Sequence, residues 1–123
     1  MYPHAELTEK IIAAAIEVHI HLGPAYHEGI YQVALAHELT LRGLPFEREK
    51  ERDVSIKGIS VGKERLDFLV DDQVVLELKS VSALSDVHLS QMLSYLAATG
   101  KKVGLLINFA KTRLVDGIQR VVL

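Results

Sequence analysis

Apolar residues recur along this chain with two different periods, and the changes of period mark out helices and strands. Helical spacing predicts a first helix from Leu7 to Leu22, a second from about His27 to Arg42 and a third from Leu84 to Thr99, each followed by glycine. The faces expected to be buried carry Ile11, Ile12, Ala15, Ile16, His19 and Ile20 in the first helix, and Leu89, Met92, Leu93 and Leu96 in the third.

A period of two between the second and third helices predicts three antiparallel strands. The first, Pro45 to Ile56, is densely charged, as suits a solvated edge strand. The next two form a hairpin that ends at Lys79 and turns at Asp71-Asp72-Gln73. Beyond the third helix, Lys102 to Asn108 is an apolar run that predicts a buried strand beside the hairpin, and the final RVVL predicts an edge strand.

The register of the hairpin determines which charged side chains meet. Burying both apolar triplets on one face pairs Val70 with Val74, Phe68 with Leu76 and Leu66 with Leu78, because a slip of one residue would turn a triplet to water. That register places Asp67 opposite Glu77, with Lys79 on the same face, which we expect to lie away from the helices. Two carboxylates across a ladder repel each other, and a divalent cation between them would reverse the sign of that interaction. The pattern alone is nevertheless weak, since many solvated hairpins carry such charges.

Composition narrows the class of protein. The chain has 123 residues, of which 49% are hydrophobic and 24% charged, as expected for one globular domain spanning residues 1–123. It has no cysteine, which excludes thiolate metal sites and a cysteine nucleophile. It shows neither a secretory signal nor a membrane-spanning run, so we expect a cytoplasmic protein with no membrane partner. A net charge of -2 argues against coating nucleic acid through bulk positive charge, but not against a local, metal-assisted grip on a phosphodiester.

A transition-metal site formed by His19, His21 and His27 is a weaker alternative. These residues straddle the end of the first helix and a Gly-Pro break, so the helical spacing does not bring them together. His19 lies on the apolar stripe, where a histidine is more often part of the core or its edge than a ligand. Glu28 similarly has a structural explanation, because an acid in the first turn of a helix is favoured by the helix dipole.

Several stretches together resemble a known family. They are IIAAAIEVHIHLGPAYHEGIY, ERLDFLVDDQVVLELKSV, HLSQMLSYL, GKKVGLLINFA and RLVDGIQRVVL, and they extend over nearly the whole chain from Leu7 to Leu123. The chain resembles the PD-(D/E)XK nuclease superfamily and, within it, the small bacterial GxxExxY proteins. The resemblance implies an α/β, restriction-endonuclease-like fold: an αβββαβ core with an additional N-terminal helix and a central mixed sheet flanked by helices.

The resemblance also implies roles for individual residues. Asp67 and Glu77 would ligate Mg²⁺ or Mn²⁺ with the main-chain carbonyl of Leu78, and Glu28 would reach the metal directly or through water. Lys79 would orient or activate the attacking water. Gln91 and Tyr95 match a Q-x-x-x-Y motif that holds the substrate backbone, and Tyr31 is assigned to the same substrate side. Hard oxygen ligands suit such cations, which stabilise phosphoryl charge and lower the pKa of bound water.

One residue departs from the family pattern, and the function has two competing interpretations. Ala25 stands where the name motif has glycine, so a positive φ there would cost about 1 kcal/mol or the loop bends differently. The leading interpretation is a metal-dependent nuclease acting on nucleic acid, with DNA favoured over RNA. The alternative is a catalytically inactive module with the same fold that binds nucleic acid or a protein partner. A homodimer is expected only because two-fold dimers are the commonest closed assembly.

Overall fold

A computed structural model describes residues 3–123 of the chain. The three predicted helices and the predicted strands are present, and each helix begins and ends within two residues of its prediction. Within the described residues, no helix combines the length and apolar character needed to cross a bilayer. The elements are α1 (Ala5–Leu22), α2 (Glu28–Leu41), β1 (Phe46–Ile56), β2 (Ile59–Val70), β3 (Val74–Lys79), α3 (Asp86–Thr99), β4 (Val103–Asn108) and β5 (Ile118–Val122), with a short 3-10 turn (Leu114–Gly117) before β5.

The strands form one mixed sheet in the order β1-β2-β3-β4-β5. β3 and β4 are parallel and are joined by the α3 crossover, whereas the other neighbouring pairs are antiparallel. The β2–β3 hairpin turns at the predicted place, where Asp71 and Asp72 both have positive φ and the Gln73 N–H donates to the Val70 carbonyl. The predicted α/β fold is confirmed: an αβββαβ core preceded by α1.

Helices cover both faces of the sheet and bury a separate apolar cluster on each. α1 and α2 pack over a cluster that includes Phe68, Leu76 and Leu78. α3 packs over a second cluster that includes Leu66. The expectation that Leu66 and Leu78 share a face, and that the charged face lies away from the helices, was therefore wrong. The regular alternation of β2 breaks at Asp67, and the third helix covers the face that the sequence pattern left open.

Two helix faces are also rotated from their predictions. In α1, Ile20 is 70% exposed, and Val18 is buried in its place. In α3, Leu93 lies at the surface, whereas Tyr95 joins Met92 in the core. Both differences arise because apolar residues cover more than one helical stripe, so spacing alone does not select the buried one.

Strands β1 and β2 extend beyond the rest of the sheet as a two-stranded arm. β2 pairs with β3 only from Phe68 to Val70, while its pairing with β1 continues to the turn at Ile56 and Ile59. Side chains in the arm are mostly exposed. The arm therefore forms one wall of the space beside α3 rather than part of the core.

Candidate active site

The backbone ladder between β2 and β3 opens at the two predicted carboxylates. Regular pairing ends at Phe68 and Leu76, in the predicted register. Beyond it, the Leu78 N–H donates to Asp67 Oδ2 at 2.7 Å, and the Asp67 N–H donates to Glu77 Oε1 at 3.3 Å. Side-chain oxygens thus replace carbonyls as the acceptors. The structure brings Asp67 and Glu77 together where the strands separate.

The opposite edge of β2 is irregular at the same point. Arg48 pairs with Phe68 and Lys50 with Leu66, while Glu49 between them has a φ of 56° and makes no ladder pair with Asp67. Asp67 is therefore released from regular pairing on both sides. Such a distortion lets the chain re-aim a side chain, and it accounts for the broken alternation of β2.

Two residues that the sequence analysis did not select orient the Asp67 carboxylate. Gln32 Nε2, on α2, donates to Asp67 Oδ1 at 2.8 Å. Arg48 Nε donates to Gln32 Oε1 at 3.1 Å, which fixes the amide so that its NH₂ faces the acid. The sequence contains one feature that could have indicated Gln32: it follows Glu28 by four residues and so lies on the same face of α2.

Glu77 lies in an environment that disfavours its charge. Burial, and then the nearby Asp67 carboxylate, raise the pKa of Glu77 to about 8, although Lys79 opposes the shift. Without further positive charge, this side chain is therefore largely protonated at neutral pH. Glu77 and Lys79 line a cavity of about 220 Å³ between the arm and α3.

The donor set at this point fits a hard divalent cation. Asp67 and Glu77 offer carboxylate oxygens, which are the ligands that Mg²⁺ and Mn²⁺ prefer, and their mutual repulsion leaves a net demand for positive charge. Within residues 3–123, no group of three or more His, Cys, Asp or Glu side chains is arranged to hold a metal. The two acids would therefore supply only part of a coordination shell, and main-chain carbonyl and water oxygens would have to supply the remainder.

The chain matches one protein-family model over nearly its whole length. A family model described as the PD-(D/E)XK nuclease superfamily matches residues 5–121. This chain belongs to that superfamily. Neither the curated proteins nor the solved structures yielded a match. Members of the PD-(D/E)XK superfamily are generally nucleases that depend on divalent metal ions, so nucleic acid is the class of substrate that membership implies.

The end of β3 is fixed where this PD-(D/E)XK chain carries Lys79. Phe109 N–H donates to the Lys79 carbonyl at 2.9 Å. The fully buried Asn108 accepts from the Val81 and Ala110 N–H groups and donates to the Val81 carbonyl. The segment after Lys79 is therefore fixed by a satisfied buried amide, which restrains the lysine backbone beside the cavity.

Glu28 and Tyr31 occupy different environments. Glu28 is exposed in the first turn of α2, one turn from Gln32, and the described structure records no hydrogen bond between it and the acidic pair. Tyr31 is fully buried, stacks on Phe109 with ring centroids 4.3 Å apart, and donates its hydroxyl to the Gly23 carbonyl. This geometry gives Tyr31 a structural role, and its predicted contact with substrate stays untested.

Ala25 adopts no strained conformation. It is not among the described non-glycine residues with positive φ, so the expected cost of replacing the family glycine does not arise. The loop is instead held by the Tyr26 N–H, which donates to the Tyr31 hydroxyl, and by Ser80 Oγ, which donates to the Tyr26 carbonyl. The loop before Glu28 is thereby tied to the strand end that carries Lys79.

Helix α3 forms the other wall of the cavity. Gln91 and Tyr95 both line it, as their spacing of one turn predicts. Burial raises the pKa of Tyr95, so its hydroxyl remains protonated at neutral pH. The Arg52 guanidinium lies 5.4 Å from the centroid of the Tyr95 ring and forms an ion pair with Glu64. His88, from the first turn of α3, also lines the cavity.

The weaker alternative, a metal site formed by His19, His21 and His27, receives no support from the contacts of the first two residues. His19 Nε2 hydrogen-bonds the Lys111 carbonyl at 2.8 Å, and His21 pairs with Glu17 on its own helix. Their contacts are those of structural and surface histidines.

Proposed function

We propose that this protein is a metal-dependent nuclease that hydrolyses phosphodiester bonds, with Asp67, Glu77 and Lys79 at its centre. The observation that carries the proposal is the opening of the β2–β3 ladder, where two carboxylates meet and each takes part in a hydrogen bond to the opposite strand. A merely structural hairpin gains nothing from this pair, because like charges placed together are destabilising. A bound cation would remove that cost.

Each residue has a task that its position supports. Asp67, Glu77 and the Leu78 carbonyl would hold Mg²⁺ or Mn²⁺, and the first two are within hydrogen-bond range of each other's strand. When bound, the ion supplies charge stabilisation for the phosphoryl oxygens and lowers the pKa of a bound water. Lys79 lines the same cavity as Glu77 and would orient the attacking water or offset phosphate charge.

Supporting residues come from both sides of the sheet. Gln32 and Arg48 would keep the Asp67 carboxylate in one orientation. Gln91 and Tyr95 would hold the substrate backbone from the α3 side, where both line the cavity. Glu28 would complete the metal site through a water molecule, since it lies one helical turn from Gln32.

The motif that contains Glu28 and Tyr31 supports a narrower family assignment. We propose that the chain is a GxxExxY-type member of the superfamily, in which Glu28 and Tyr31 match the name motif and Ala25 takes the place of its glycine. We further propose that DNA is preferred over RNA as the substrate and that the protein acts as a homodimer, since two-fold dimers are the commonest closed assembly.

The test is an activity assay with matched variants. Purified protein is incubated with single- and double-stranded DNA and with RNA, in Mg²⁺, in Mn²⁺ and in a chelator. Cleavage is expected only with metal, and Asp67→Ala and Lys79→Ala should each lower it by on the order of 10²-fold or more. Asp53→Ala is the control, because this exposed acid lies on the arm, away from the cavity lining.

Two results would contradict the proposal. Cleavage that survives both Asp67→Ala and Lys79→Ala would exclude this site. Absence of cleavage, together with nucleic-acid or protein binding that is indifferent to metal and to Lys79→Ala, would support the inactive binding module instead.

A further inference from the structure

His88 has a structural task that uses only half of its imidazole ring. It is the third residue of α3, and it forms a capping box with Ser85. The Ser85 N–H donates to His88 Nδ1 at 3.1 Å, while the His88 N–H donates to Ser85 Oγ at 3.4 Å. The ring is therefore held at the start of the helix through its Nδ1 atom.

This contact fixes the tautomer of the neutral ring. Because Nδ1 accepts a hydrogen bond, the proton of the neutral imidazole is on Nε2. No hydrogen bond within residues 3–123 occupies Nε2. His88 lines the cavity that Glu77 and Lys79 also line, and its Nε2–H has no acceptor among the described residues.

The residue type is informative as well. Glutamate and glutamine are the usual residues at this position of a capping box, because their side-chain oxygens accept from the N-cap N–H. A glutamate would complete the cap but add a third acid beside Glu64 and Glu77 in the cavity lining. Histidine completes the same cap and presents a donor instead, which suits an anionic ligand.

We propose that His88 is a substrate-binding residue whose Nε2–H donates a hydrogen bond to a phosphoryl oxygen of the nucleic-acid backbone in this cavity. The inference rests on the proposed nuclease function. It assigns the α3 wall a direct contact with the phosphate, in addition to Gln91 and Tyr95.

A pair of variants separates the substrate contact from the helix cap. His88→Ala removes both the Nε2 donor and half of the capping box. Ser85→Ala removes the other half, the Oγ acceptor, but keeps the backbone N–H that positions the imidazole. Both variants should lower the melting temperature slightly, as loss of a cap does. Only His88→Ala should raise KM, by about tenfold or more, as expected for a lost hydrogen bond to a charged group.

The measurements are steady-state kcat and KM on a cleavable oligonucleotide, with thermal unfolding of each variant.

A second experiment uses a series of oligonucleotides in which one non-bridging phosphoryl oxygen at a time is replaced by methyl. At one phosphate, the methyl substitution should weaken binding to wild-type protein but not to His88→Ala. In that variant the hydrogen-bond donor is already gone, so removing its acceptor has no further effect.

The possible outcomes are distinguishable from those for the proposed function. If Ser85→Ala raises KM as much as His88→Ala, or if His88→Ala leaves KM within twofold of wild type, the substrate contact is overturned while the nuclease stands. If wild-type protein neither binds nor cleaves nucleic acid in any metal, the proposed function fails, and the role of His88 fails with it.

Discussion

The arm and the candidate site both bring charged side chains together across neighbouring strands, but with opposite combinations of sign. In the arm, Arg52 pairs with Glu64 in the ladder and forms an ion pair with it, and Lys63 lies 4.0 Å from Asp53. At the site, Asp67 meets Glu77, and the pKa of Glu77 rises to about 8. Charges of opposite sign thus face each other across the exposed β1–β2 arm, whereas two acids meet where the β2–β3 ladder opens.

The difference teaches that the acidic pair is not a general consequence of a charge-rich hairpin. Opposite charges across strands stabilise slightly, and like charges destabilise. The same three-stranded meander follows that rule in the arm and breaks it at Asp67 and Glu77. Residues that break a local rule in this way are expected at functional positions, where a ligand supplies the missing charge.

The largest expected effect is on catalysis. Glu77→Gln keeps the size of the side chain but weakens the metal site, so cleavage should fall by on the order of 10³-fold. Glu51→Gln makes the same change on the exposed face of the arm and should leave the rate within about twofold, as surface substitutions usually do. Initial rates on one oligonucleotide compare the two. Equal rates for wild type and Glu77→Gln would remove the distinction between site and arm.

The next largest effect is on the free energy of unfolding in the absence of metal, and the direction of its pH dependence can be worked out. The folded-state pKa of Glu77, about 8, lies above its ordinary value of 4.5, so the unfolded chain ionises first as pH rises. The contribution of Glu77 to stability is complete below pH 4.5 and is lost as pH rises towards 8. In chelator, Glu77→Gln should therefore gain on wild type across this window, by a few kcal/mol at pH 8.

Urea unfolding from pH 4.5 to pH 8.5 measures this gain. Glu51→Gln is again the control and should follow wild type. A Glu77→Gln protein whose stability relative to wild type did not change with pH would show that the carboxyl group is not desolvated as its position indicates.

Metal binding should release protons from the site. Near pH 7 the Glu77 carboxyl is largely protonated, so binding of Mn²⁺ should displace nearly one proton, and the number should fall towards zero above pH 9. Calorimetry in two buffers with different ionisation enthalpies gives this number. Release that is unchanged in Glu77→Gln would assign the proton to another group.

The smallest effect is expected in the arm. Arg52→Ala removes the ion pair with Glu64 and the contact with the Tyr95 ring, and it should cost about 1 kcal/mol of unfolding free energy. Raised salt should reduce the ion-pair part of that difference, because exposed charges are screened. A loss of several kcal/mol in denaturant unfolding would mean that the arm, too, contains a strongly coupled charge cluster.

The sequence determined the order of the elements and the neighbourhood of the two acids. Periods of 3.6 and two, with glycine after each helix, located the helices and strands because each period reflects one backbone geometry. The turn at Asp71 and Asp72 fixed the hairpin register, and hence the approach of Asp67 to Glu77. Alternation predicted the pairs nearest the turn, from Val70 with Val74 to Phe68 with Leu76, but it did not predict the break of the ladder at Asp67.

Tertiary structure alone decided how the site is enclosed. The crossover that makes β3 and β4 parallel brings α3 over the sheet face that was expected to carry no helix. It also places His88 and Tyr95 in the lining of the cavity. The irregularity at Glu49 frees Asp67, and Gln32 reaches it from 35 residues away. These contacts depend on the packing of distant segments, and the periodicity of a single segment carries no information about its partner across the core.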